Sequence, residues 1–381
     1  MKIAILCPGY GWVRRGVERV AEELAHRLGE GCQPAVYSLW RNSSANGSQE
    51  RSNGAKIRKV PGIPRTHPLA RLYSPLARRA GVYLWGPGDF EALTYAAGLL
   101  PRLLQDRPDL VLNFAGPAVG RVCKMLRLIR KTPFLHSAQG MAQGRLEWIH
   151  ACQRPNRYLA LSLPNQEWVE ARAPWVRTEL VPNGVDCSLF SPHGESASLP
   201  LAPPVVLFVG AMDPVKRPEL AVRAVARWSA DGAAHRARPS LLMIGEGRIR
   251  PEIETLGKEL LGERFLLLPS VANEELPRYY RACSVFTLPS PAEPFGIVFL
   301  EAMACGRPVA AHQGAVQKWL LGEAGVCCNC EEVEEYAAAL KRALESDFGD
   351  RPRRRALEFD WGRIIAKYEN VFCQVAAEKR Q

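Results

Sequence analysis

Glu293 and Glu301 are separated by seven intervening residues within Ser290-Pro291-Ala292-Glu293-Pro294-Phe295-Gly296-Ile297-Val298-Phe299-Leu300-Glu301. Pro294 and Gly296 keep the chain irregular, and the apolar run after them predicts a helix from about Ile297 to Ala304 that stops at Gly306. The first N–H groups of such a helix, near Gly296 to Val298, form an anion site suited to a phosphate. With Glu301 one turn inside and Glu293 in front, the two carboxylates flank one ligand, one bonding sugar hydroxyls and the other ribose hydroxyls. Two acids beside a phosphate demand a cation. Gly210-Ala211-Met212-Asp213-Pro214-Val215-Lys216-Arg217 supplies it: Lys216, with Arg217, is placed to meet a diphosphate.

Both segments follow apolar runs, so the elements that position them are strands. Strands are predicted at 2–7, 35–39, 110–113, 133–136 and 158–162, then at 205–210, 240–244, 265–268, 284–288 and 308–311. Helical periodicity lies between them, as in Gly16 to Leu28 and Pro218 to Trp228. This alternation predicts parallel sheets covered on both faces, which bind ligands at the carboxyl ends of their strands. A Pro/Ser/Gly-rich break at 191–204 separates two such patterns. The expected organisation is a first doubly wound domain over 1–190, a second over 191–358, and a C-terminal segment, 359–381, with Asp360 near the start of an amphipathic helix. Residues 41–55 read as a loop. Residues 61–88, mixed basic and apolar, admit two readings: a surface for an acceptor or membrane, or a loop packed by its own aromatics.

At 381 residues the chain exceeds one ordinary core. It has no apolar run long enough to span a bilayer, and Pro8-Gly9 cuts the first apolar run short of a signal peptide. Eleven cysteines without a regular framework suit buried thiols in a reducing cytoplasm, and Cys327-Cys328-Asn329-Cys330 lacks a second ligand pair for a metal. Residues 1–190 hold 26 Lys and Arg against 14 Asp and Glu, whereas the remainder holds 24 against 25. The excess of positive charge in the first half points to an anionic partner or to a solvated basic surface. A nucleic-acid-binding module is absent, as is a G-x-G-x-x-G after the first strand, which argues against a dinucleotide-dependent oxidoreductase.

The second half resembles the retaining glycosyltransferases of family 4. The carriers are the two glutamates in their Pro-Phe-Gly context, Val181-Pro182-Asn183-Gly184-Val185-Asp186, Gly245-Glu246-Gly247, and Glu275-Leu276-Pro277-Arg278-Tyr279-Tyr280. The resemblance implies a GT-B fold, two Rossmann-like domains facing each other across a cleft, with acceptor bound by the first and nucleotide sugar by the second. It implies that Glu293 contacts the donor sugar and Glu301 the ribose. Phe295, Gly296 and Ile297 would supply backbone contacts, with Gly210, Gly245 and Arg217 also on the donor side. Lys216 would neutralise the leaving diphosphate in place of a metal, so no metal or other cofactor is expected. Gly16, Arg15, His136, Gln139 and Asn183 fall on the acceptor and phosphate side. The final helix would cross back to the first domain.

Three positions depart from the family. Ala211 stands where an arginine is usual, Arg15 precedes Gly16 in place of a second glycine, and Gln139 stands where a histidine is common, with His136 three residues earlier. The expected function is metal-independent transfer of a sugar, with retention, from a nucleotide diphosphate to the hydroxyl of a carbohydrate or lipid-linked acceptor. The alternative is a non-catalytic sugar-nucleotide or carbohydrate-binding protein on the same fold. The expected location is the cytoplasm, with peripheral contact at the inner face of the membrane through the basic first domain and no nucleic-acid partner.

Overall fold

The computed structural model describes residues 1–11, 16–40, 56–72, 87–139, 144–230 and 238–380. Arg15, the loop expected at 41–55 and residues 73–86 of the 61–88 insertion therefore lie outside the described residues. The chain forms two compact units: Met1–Pro182 with Ile364–Gln381, and Asn183–Arg363.

The first unit contains β1 (Lys2–Leu6), β2 (Gln33–Leu39), β3 (Lys56–Val60), β4 (Leu110–Asn113), β5 (Phe134–Ser137), β6 (Arg157–Ala160) and β7 (Thr178–Leu180). They pair in the order β3-β2-β1-β4-β5-β6-β7, and every pairing is parallel. Central β4, β5 and β6 are buried along their whole length, as strands covered on both faces must be. Leu6, Leu39, Val111, Val119 and Phe134 sit in the core between this sheet and its helices.

The second unit contains β8 (Val205–Val209), β9 (Ser240–Ile244), β10 (Phe265–Leu268), β11 (Val285–Leu288), β12 (Val309–His312) and β13 (Gly325–Cys328). Its order is β10-β9-β8-β11-β12-β13, again parallel throughout. Strand order reverses beside β8, so β8 and β11 open the switch point where doubly wound sheets bind ligands.

Three strands were not expected: β3, β7 and β13. All are sheet edges, half-exposed and short or mixed in polarity, so none carries the continuous apolar run that marks the inner strands. The first break also falls earlier than the Pro-rich stretch. Residues 187–195 are held by the second unit, where Arg353 donates to the carbonyls of Cys187 and Phe190 and Arg281 to those of Ser191 and Glu195. The last helix, Trp361–Arg380, starts in the second unit and continues into the first. Asp360 accepts the Gly362 N–H at 2.9 Å, which sets its start.

Candidate donor site

The loop after β8 is fastened to the loop after β9. Met212 N–H donates to the Glu246 carbonyl (2.9 Å) and Ile249 N–H to that of Met212 (3.1 Å). Only glycine fits this contact. Gly245 has φ +154°, and a Cβ there would lie 1.9 Å from the Gly210 carbonyl oxygen; one on Gly247 would lie 2.2 Å from that of Met212.

Beyond Met212 the chain makes a single 3-10 turn, Pro214–Lys216, capped by the Asp213 carboxylate accepting from Val215 N–H at 3.3 Å. The buried Ser290 hydroxyl donates to the Val215 carbonyl (3.3 Å), and Gln317 donates to the Ser290 carbonyl (2.8 Å). These bonds tie the turn after β8 to the segment after β11. Lys216 Nζ accordingly reaches Glu293 Oε2 at 2.5 Å, with both side chains mostly buried.

Helix Ile297–Ala304 begins where it was expected, behind Gly296 at φ +87° and with no side chain capping it. A Cβ on Gly296 would come within 2.4 Å of the Phe299 ring and 3.1 Å of Glu293 Cγ, so the helix start and Glu293 are in contact. Ile297 opens the helix and is half-buried. Glu301, one turn on, is only 2% exposed and accepts the Tyr280 hydroxyl at 2.9 Å. Phe295 turns its ring into the interior, against Trp319 and Phe359, which leaves its backbone as the group available to a ligand.

Arg217 takes the left-handed conformation, φ +50°, and its guanidinium pairs with Glu331 rather than Glu293. Lys216 and Glu293 are thus brought together, as are Gly210 with Gly245 and Gly296 with Glu293. Tyr280, Ser290, Gln317 and Glu331 complete the framework. Sequence reasoning gave them no role, although Tyr280 and Ser290 lie inside the motifs quoted above; Gln317 and Glu331 carried no signal.

The remaining candidates belong to other surroundings. Asn183 is buried and is the first residue of the second unit. In the first unit Gly16 opens helix Gly16–Arg27, and Gln139 donates to Ser137 Oγ at 3.1 Å. His136 is turned inward on β5, 4% exposed. Its ring stacks on His150 at 3.7 Å and its Nε2 lies 3.8 Å from Glu147 Oε2. Among the described residues, neither ring nitrogen of His136 has a hydrogen-bond partner. Burial pushes both imidazoles down to about 3 and raises the Glu147 carboxyl, which accepts the Tyr158 hydroxyl. Among the described residues, no three His, Cys, Asp or Glu side chains gather as metal ligands.

Residues 203–346, which include every donor-side candidate, match the model of a family described as Glycosyl transferases group 1. The chain is 31% identical over 243 residues to a D-inositol 3-phosphate glycosyltransferase of Acidothermus cellulolyticus, covering 57% of this chain and 54% of that protein. A protein of the same name from Geodermatophilus obscurus is 36% identical over 217 residues, covering 53% and 48%. The chain thus spans about half the length of the curated relatives it matches. Among solved structures it resembles sucrose-phosphate synthase from Thermosynechococcus elongatus, with TM-score 0.77, 21% identity and 99% of each chain covered. It also resembles Anabaena HepE in complex with UDP and glucose, with TM-score 0.71, 17% identity and 98% and 99% covered. The two doubly wound units therefore have the GT-B fold.

Proposed function

We propose that the chain is a retaining, metal-independent glycosyltransferase of the family 4 type, which moves a sugar from a nucleotide diphosphate onto an acceptor hydroxyl. The observation that carries this reading is the Lys216–Glu293 pair at 2.5 Å, placed against the start of an uncapped helix at the carboxyl edge of a parallel sheet. A cation and a helix amino end together suit a diphosphate, and a carboxylate held by that cation suits sugar hydroxyls.

On donor binding the Lys216 ammonium is shared between Glu293 and the diphosphate. As the bond from the anomeric carbon to the phosphate oxygen breaks, the charge developing on that oxygen is met by Lys216 and by the N–H groups of the helix start, so positive charge is supplied without a metal. The acceptor oxygen bonds to the same carbon on the same face, and its proton passes to the departing phosphate oxygen. Glu293 orients the sugar and, through Lys216, keeps the ammonium in place. Glu301, fixed by Tyr280, holds the ribose end. The chemistry asks for positioning rather than a strong base.

The first unit reads the acceptor, a carbohydrate or a lipid-linked one, and its excess of basic residues brings it to the anionic inner face of the membrane. HepE was solved with UDP and glucose, which makes UDP-sugars the first donors to try. A thermal-shift screen of nucleoside diphosphates and their sugars, followed by transfer assays of wild type and Lys216→Ala, tests the reading. A stabilising nucleotide and turnover that collapses in the variant are expected. Indifference of the melting temperature to every nucleoside diphosphate would overturn it.

A further inference from the structure

Helix Pro117–Arg130 buries Val119, Val122, Cys123 and Leu126 in the first unit's core. Its outward side is unusual: Met125, Leu128 and Ile129 are 46%, 67% and 58% exposed. Arg121, Lys124 and Lys131, also exposed, border this ridge at helical spacing. The helix contains no Asp or Glu. Of the carboxylates shortly before it, Asp106 is paired with Arg58 and bonded to the Tyr37 hydroxyl, and Asp109 accepts the Lys2 N–H.

We infer that this face is where the protein docks on an anionic lipid surface, with Met125, Leu128 and Ile129 entering the headgroup boundary and Arg121, Lys124 and Lys131 lying among lipid phosphates. An apolar ridge bordered by long basic side chains is the pattern of an interfacial helix, in which apolar burial and attraction to anionic lipid act together. Other occupants fit less well. A second copy would set the same cations against each other across a two-fold axis. A nucleic acid would call for stacking aromatics, and the ridge has none. The inference rests on the reading above that the first unit meets a membrane, and it assigns the surface that does so.

The test is co-sedimentation of the whole protein with phosphatidylcholine vesicles, with and without phosphatidylglycerol, at low and high salt. Wild type is expected to bind only the anionic vesicles and to be released by salt. Leu128→Asp/Ile129→Asp should weaken binding roughly tenfold or more, since it removes the inserted groups and adds charge of the lipid's own sign. Lys124→Gln/Lys131→Gln, which leaves the ridge intact, should weaken it by about tenfold as well. Both variants should keep the wild-type melting temperature and its shift with nucleotide. Wild type that ignores anionic vesicles overturns the membrane reading and this inference together. Wild type that binds while both folded variants bind equally overturns only the placement. A wild-type dimer that Leu128→Asp/Ile129→Asp dissolves, with vesicle binding unchanged, assigns the face to self-association and also overturns it. None of these outcomes touches the donor site, whose nucleotide shift is scored in the same samples.

Discussion

Lys216 and Glu293 come from the ends of neighbouring strands β8 and β11 and meet at 2.5 Å, while the adjacent Arg217 turns away to Glu331. Two basic residues next to each other are thus sorted into different roles by one left-handed residue. Lys216→Ala should lower kcat by roughly 10²- to 10³-fold, as the loss of a group that stabilises developing charge does. Arg217→Ala should cost far less. Steady-state kinetics with a UDP-sugar compares the two, and equal losses would refute the sorting.

Gly245 stands with φ +154°, and its missing Cβ makes room for the Gly210 carbonyl. Gly245→Ala should destabilise the second unit by about 2 kcal/mol or more, because strain and overlap with backbone add. Urea unfolding measures this. Gly31→Ala, where nothing lies within 4 Å, serves as the control and should leave stability nearly unchanged.

Glu301 is buried and accepts the Tyr280 hydroxyl. Tyr280→Phe removes that donor from a carboxylate with little access to water, at a cost of about 1–3 kcal/mol. Nucleotide affinity should fall with stability, because the carboxylate then loses one of the bonds that fix its orientation. Isothermal titration with UDP checks this, and a variant that binds as tightly as wild type would show that Tyr280 does not position Glu301.

The His136–His150 stack makes the first unit sensitive to acid. Both imidazoles are held neutral by burial, from 6.5 toward about 3. An unfolded chain takes up their protons first, so their contribution to stability is complete above about pH 6.5 and drains away as pH falls toward about 3, at up to about 1.4 kcal/mol per pH unit for each ring. Glu147, whose carboxyl is raised by burial, acts in the opposite sense. Its contribution is complete below its ordinary value near 4.5 and is lost as pH rises above that value, so just above 4.5 it offsets part of the loss due to the two histidines. Melting temperatures should drop between about pH 7 and about pH 5, and His150→Leu should flatten that slope. An unchanged slope would contradict the assignment.

Much of the local structure around Lys216 and Glu293 was legible in the sequence. Inner strands such as β8 and β9 are unbroken apolar runs, and Pro294, Gly296 and Gly306 delimit a helix with its carboxylate one turn inside. What stayed hidden is what depends on pairing at a distance. Edge strands β3, β7 and β13 owe their existence to a neighbour rather than to their own composition. The Arg217–Glu331 pair and the Ser290–Val215 bond join positions 114 and 75 residues apart. His136 is buried in a stack with His150, and nothing in Phe134-Leu135-His136-Ser137 tells which way an alternating strand turns its histidine.

The first unit is assembled from two stretches, with all of Asn183–Arg363 threaded between them. On the ribosome the second unit is therefore complete as a continuous stretch before the residues from Ile364 onward, which finish the first, have been made. At about 5–20 residues per second the wait is on the order of 10–40 s. Throughout that interval the positions that Tyr368 and Phe372 later fill, both fully buried in the finished protein, stand open to solvent. Chaperone dependence during synthesis should consequently centre on the amino-terminal sheet, although it emerges first.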